Sequence, residues 1–189
     1  MLKNGGDAVS TFRCLCFLAP TLLCVGLQAG IKDAIDNNNV EELQAALKAD
    51  PLALNTWSIT THLQDRLGNT ISIPVTPLMY AVMVNASVDI INALFAAGAN
   101  PEIQDTRFGD TALHHAVRNK NQKLARLILK HAYGKSLTDI KNFSGFSPLD
   151  EAQGDIKKLL KKYETLSAKF NRVWRELGGT LPHDPDLVE

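Results

Sequence analysis

Beyond residue 24 the sequence contains no cysteine: Cys14, Cys16 and Cys24 are all that the 189-residue chain holds. A domain folded from the remainder forms no disulfide, builds no thiolate metal centre and uses no cysteine nucleophile. An excess of one charge is missing too. Lys+Arg and Asp+Glu each number 20, and without clustered cations to release counterions from phosphates, nucleic acid is not an expected partner. No apolar stretch reaches the roughly 20 residues of a bilayer span; the run CLCFLAPTLLCVGL stops at 14, from residue 14 to 27. There is no Gly-rich phosphate loop, zinc-protease signature or Gly-x-Ser-x-Gly elbow. His62, His114, His115, His131 and His183 lie without ligand spacing, so the expectation is no metal, no cofactor and no catalytic residue. A chain of this length suits one modest domain with a real core.

What is present begins with that apolar run. Lys3 and Arg13 precede it and the small Ala29 follows it, the order of an export signal. Residues 1–29 are read as a signal that is removed, although Leu27 occupies the place where a second small residue is preferred. Removal of Lys3, Arg13 and Asp7 leaves 18 basic and 19 acidic residues and none of the cysteines. The expected mature protein is nearly neutral, exported to a periplasm or secreted, without a stable membrane span.

The remainder repeats. Thr76, Leu78, Ala81 and Val82 fall on Thr111, Leu113, Ala116 and Val117 at an offset of 35, and Ser147, Pro148, Leu149 and Ala152 continue the frame 36 residues on. Each copy opens on a Thr or Ser able to cap a helix, with Pro77 and Pro148 at the first helical position, where no donor is lost. A polar break (NAS, NKNQ) separates this short helix from a second one with apolar residues three and four apart, which Gly98 ends in the second copy.

These residues carry a resemblance. TPLMYAV with GANPEIQD, FGDTALHHAV with LILKHA, and FSGFSPLDEA with IKKLLKKY resemble ankyrin repeats, and IKDAIDNNNVEELQAALKADPLALN (31–55) resembles a degenerate first copy. The resemblance implies an all-α solenoid of about four repeats, near 31–55, 76–104, 105–141 and 142–163. Two departures stand out. Residues 56–75 read as an inserted β-hairpin around DRLGN. In the last copy, Ala152 to Ile156 leaves no room for the usual break, and a helix is expected to run on over 164–179, ended by Gly178 and Gly179. Its apolar face would be Leu166, Phe170, Val173, Trp174 and Leu177, before a flexible tail at 180–189.

The same resemblance gives His114 a structural task, hydrogen bonding within the turn beside Thr76, Pro77, Thr111, Ser147 and Pro148. Met79 and Asp150 hold the equivalent position in the other copies, so no shared chemistry is required there. Asp150 and Glu151 are adjacent on a helix, which sends their side chains apart. Ankyrin-like solenoids bind proteins along the concave face of turn tips and first helices, which implies a non-catalytic, monomeric module for a protein partner. On that face Trp57, Arg66, Tyr80, Met83, Arg107, Phe108, Asp110, His115, Arg118, Phe143 and Phe146 are the expected contacts, because aromatic and Arg side chains dominate interface energetics. A bacterial effector acting on a host protein and an immunity or inhibitor protein blocking an enzyme or toxin remain open alternatives.

Overall fold

The computed structural model describes residues 30–64, 70–132 and 137–176. Helices α1 (30–36) and α2 (Val40–Ala49) form the first antiparallel pair. A 3-10 turn (Pro51–Asn55) leads to the hairpin β1 (Ile59–Gln64) and β2 (Thr70–Val75), and then come α3 (Pro77–Met83), α4 (Val88–Ala96), α5 (Ala112–Arg118), α6 (Gln122–His131), α7 (Pro148–Glu151) and α8 (Gly154–Glu176). The first helices stack as α3 on α5 on α7, and the second helices as α2 on α4 on α6 on α8. Tyr80 of α3 reaches Asp36 of α1, which extends the first row by one. Two parallel rows of short helices are the solenoid that the repeat implied.

Helices of seven to ten residues are too short to persist alone, where roughly 12–15 are marginal. Stacking supplies the rest. Ile90, Ile91 and Leu94 of α4, Leu113 of α5 and Ile128 of α6 are completely buried, each contributing about 1.5–3 kcal/mol by leaving water. Side-chain caps fix where helices begin. Asn39 accepts from Glu42 N–H, Thr76 from Met79 N–H, Ser87 from Ile90 N–H and Asn121 from Leu124 N–H, each satisfying a donor that has no partner inside its helix.

Between the two helices of each pair the chain reverses through one left-handed residue: Asn38, Asn85, Lys120 and Gly154, with φ of 52°, 54°, 53° and 56°. This corrects the expectation for the last copy, which keeps its break. It does so by cutting α7 to four residues, so that Ala152 and Gln153 make the turn. The second helix of that copy then runs without interruption to Glu176, so the expected C-terminal helix is the distal part of α8. Val173 is exposed on it, while the side chains of Leu166, Phe170 and Trp174, and residues 177–189 with the expected stop and tail, lie outside the described residues.

The hairpin is where the sequence put it. Ile59 pairs with Val75 and the register runs to Gln64 opposite Thr70. Alternation along β2 turns Ile73 and Val75 onto the core, with Ile59 beside them. The residues between the strands, including Arg66, lie outside the described residues, as do residues 1–29, where an export signal was expected. Among the described residues no helix is long and apolar enough to cross a membrane.

Candidate functional site

Two elements of construction define the surface where the turns between repeats line up. The first is a pair of braces. Asp105 Oδ1 accepts from the N–H groups of Arg107 (2.9 Å) and Phe108 (2.6 Å), and Oδ2 from Asp110 N–H (3.1 Å). Asn142 Oδ1 accepts from Ser144 (3.1 Å) and Phe146 (3.0 Å) in the next turn. Each brace bends the backbone into a finger whose last residues are Gly-x-Thr or Gly-x-Ser. Gly109 and Gly145 have φ of 70° and 82°, and a Cβ on Gly109 would stand 2.6 Å from the Phe143 ring. Only glycine fits a left-handed position under a neighbouring ring.

The second element ties the fingers side by side. Trp57 Nε1–H donates to the Gln104 carbonyl (3.1 Å), Gln104 Nε2–H to the carbonyls of Gly109 (2.6 Å) and Lys141 (2.9 Å), and Phe143 N–H to the Phe108 carbonyl (2.8 Å). The base of the hairpin, the 105–110 finger and the 142–147 finger thereby form one continuous edge. Trp57, Phe108, Phe143 and Phe146 stand on it, exposed by 51%, 39%, 68% and 55%. Arg107 is exposed beside Phe108, its guanidinium 5.8 Å from that ring.

Below the fingertips the structure corrects the expected contact face. Tyr80 is 6% exposed and donates its hydroxyl to Asp36 Oδ1 at 2.6 Å, while Lys32 bonds the same carboxylate at 2.5 Å. Burial and the Asp36 hydrogen bond push the Tyr80 phenol up, and the bond to Asp36 holds the Lys32 ammonium well above its ordinary range. Met83 packs against the core. Asp110 is fully buried and His115 is 9% exposed. These four were expected to face a partner and instead hold repeats together. For Tyr80, Met83 and His115 the reason is one of register: in a seven-residue helix packed on both neighbours, little of the circumference is left for solvent. Asp110, which precedes α5, is buried where its carboxylate accepts from Arg118 and Asn142.

Arg118, itself partly exposed, is the hub that joins this set. Its Nη1 bonds Asp110 Oδ2, its Nη2 bonds Asp110 Oδ1 (3.0 Å) and Glu151 Oε1 (2.7 Å), and its Nε bonds Glu151 Oε2 (2.8 Å). Asn142 Nδ2 donates to both carboxylates, at 3.0 and 3.1 Å. Partial burial opposes the charge on Arg118, but these bonds hold its pKa well above the usual value. The fork of a guanidinium suits two carboxylates better than any other cation. Asp105, Gln104 and Asn142 were not singled out from the sequence, and Glu151 was read only as half of an adjacent carboxylate pair. Their signal was faint: a side-chain acceptor six residues before Thr111 and five before Ser147.

His114 answers its sequence assignment. The ring is completely buried; Nδ1 lies 3.1 Å from Thr111 N and 2.9 Å from its hydroxyl, and Nε2 lies 3.2 Å from the Phe146 carbonyl. Because Nδ1 accepts the Thr111 N–H, the proton sits on Nε2 and donates to Phe146 in the following turn. Burial lowers the pKa of this ring and keeps it neutral. Asp150 performs the same task one repeat later: its Oδ2 accepts from Ser147 N–H (2.9 Å) and hydroxyl (2.8 Å). His114 and Asp150, two of the three unlike residues at this position, therefore share a capping role, and Asp150 and Glu151 point apart as expected.

His62 pairs with Ser72 across the hairpin, and His131 stacks on Phe95 with ring centres 4.3 Å apart. The spacing of histidines alone gave no metal-ligating set, but carboxylates complete one among the described residues: Asp105, Asp110 and His115 offer ligand atoms within 4.8 Å of one another.

Comparison with known proteins places the chain. The family described as Ankyrin repeats (3 copies) matches residues 78–171. The chain is 28% identical to the E3 ubiquitin-protein ligase KEG of Arabidopsis thaliana over 75% of its own length and 8% of the relative's. An ankyrin repeat protein of fowlpox virus is 30% identical over 81% of this chain and 44% of its own length, and the palmitoyltransferase Hip14 of Drosophila melanogaster is 36% identical over 40% and 12%. The chain thus spans less than half the length of each of these relatives.

Proposed function

Because the chain belongs to the ankyrin-repeat family, we propose that it is a non-catalytic module that binds a protein partner along its fingertip edge. The observation that carries this reading is the row of four exposed aromatic side chains, Trp57, Phe108, Phe143 and Phe146, on turns joined by hydrogen bonds. Solvent exposure of large rings on a rigid edge costs stability and is matched by the anchors that dominate interface energetics. We count α1 and α2 as a further, degenerate copy beyond the matched segment, which makes about four in a monomer. Arg107 extends the edge with a cation, and Arg66, which falls in the sequence between β1 and β2, is a second candidate contact. The mature protein is proposed to act outside the cytoplasm, on the strength of the sequence of residues 1–29.

The test is capture of a partner from extracts of the source organism by the full chain, against a variant carrying Trp57→Ser, Phe108→Ser, Phe143→Ser and Phe146→Ser. All four side chains are substantially exposed, so the variant is expected to keep its helical circular dichroism and lose the partner. Equal capture by both proteins would move recognition away from the fingertips and sink the proposal.

A further inference from the structure

Among the described residues, one buried side-chain atom is left without an explanation by the packing: His115 Nε2 has no hydrogen-bond partner. The nearest carboxylate oxygen, Asp105 Oδ2, stands 3.8 Å away, beyond the reach of a hydrogen bond. A buried polar nitrogen without a partner is rare in native proteins and calls for a specific reason. The gap is wide for a proton and suits an ion. A tetrahedral metal with ligands at about 2.0–2.2 Å separates its ligand atoms by about 3.4 Å, which a small side-chain rotation reaches.

The surroundings are built as ligand surroundings are. Asp105 is fixed by three backbone N–H groups and Asp110 by Arg118 and Asn142, which leaves each carboxylate oriented with acceptor capacity to spare. The charges point the same way. Asp105, Asp110 and Glu151 supply three negative charges and Arg118 one positive, so the cluster carries a net of two negative charges when His115 is neutral.

We propose that Asp105, Asp110 and His115 bind one divalent transition-metal ion of the zinc class, with water in the fourth position. One imidazole nitrogen with two carboxylate oxygens favours zinc or cobalt over magnesium or calcium, which take oxygen alone. The ion joins the 105–110 finger to α5 and so stiffens the support of Phe108. The role is structural, and it stands whether or not the fingertips bind a protein.

The test uses the full chain with its thiols alkylated, so that Cys14, Cys16 and Cys24 cannot ligate, and stripped by a chelator. Titration with Co2+ is expected to give one equivalent of visible d–d absorption that Zn2+ abolishes and Mg2+ does not, and Zn2+ is expected to raise the unfolding temperature. His115→Gln should weaken Zn2+ binding by about 100-fold or more, as losing a ligand exceeds the cost of losing a ligand's support; His131→Gln should not. Absence of the cobalt band, or the same affinity in His115→Gln, overturns the proposal. Should His115→Gln fail to fold, X-ray absorption of the zinc-loaded parent decides: a nitrogen and oxygen shell with a single imidazole is expected, and two imidazoles or none overturn it.

Discussion

At the scale of the residue, His114 holds two turns with one ring, through Nδ1 to Thr111 and Nε2 to Phe146. His114→Ala is expected to cost about 3 kcal/mol in urea unfolding, from two buried groups left unpaired and a cavity. Asp150→Ala, at an exposed site, should cost distinctly less. The rings also set a pH dependence. Burial lowers the pKa of His114, of His115 and, helped by Lys130, of His131. Below the usual value near 6.5 the unfolded chain takes up protons that the folded chain resists. Stability is therefore complete above about pH 6.5 and falls as pH drops toward the folded values. Asp110 and Glu151 soften this at His114 and Arg118 sharpens it. Thermal unfolding at pH 8 and pH 5 should show the loss, and His114→Gln should flatten the profile; a midpoint that rises on acidification would contradict it.

At the scale of the element, the fingers depend on close approach. Gly109→Ala places a methyl group against the Phe143 ring at a φ of 70°, and is expected to destabilise by about 1–2 kcal/mol by calorimetry. The strain should also displace Phe143 and weaken partner capture. Arg118→Met removes the cation that serves Asp110 and Glu151. Since Arg118 is partly exposed, the expected loss is about 2 kcal/mol, less than for a fully buried pair, and Asp110→Asn in the Arg118→Met background should restore part of it. The starts of the first helices, the hairpin and the Gly98 stop were all legible, because caps, prolines and glycines act through the backbone of their own few residues. The shortened α7 was not, because Gly154 looks like a helix interior until the stack demands a reversal at that place.

At the scale of the whole molecule, neighbours support neighbours. α5 packs on α3 before it and α7 after it, but three polar side chains of the 110–118 segment find partners in the copy that follows: Phe146 for His114, Asn142 for Asp110 and Glu151 for Arg118. In a solenoid, stability is a sum over repeats and their interfaces. A chain ending at residue 141 should therefore lose amide protection in α5 and α6 by hydrogen exchange while α3 and α4 stay protected. Uniform loss throughout would mean that the stack unfolds as one unit.

The sequence by itself determined the period, the family, the caps and the hairpin, since each is written in short-range spacing that backbone geometry reads directly. Only the tertiary structure decided which side chains face outward. Tyr80 and His115 have the composition of contacts, yet the stacking of first helices takes them inside, and Asp110 is taken inside by its bonds to Arg118 and Asn142; Phe108, Phe143 and Phe146 are left outside because braced fingers extend past the stack. The meeting of Asp105, Asp110 and His115 was likewise hidden. Their separations of five and ten residues follow no helical period, and it is the fold of the finger back onto α5 that brings the three together.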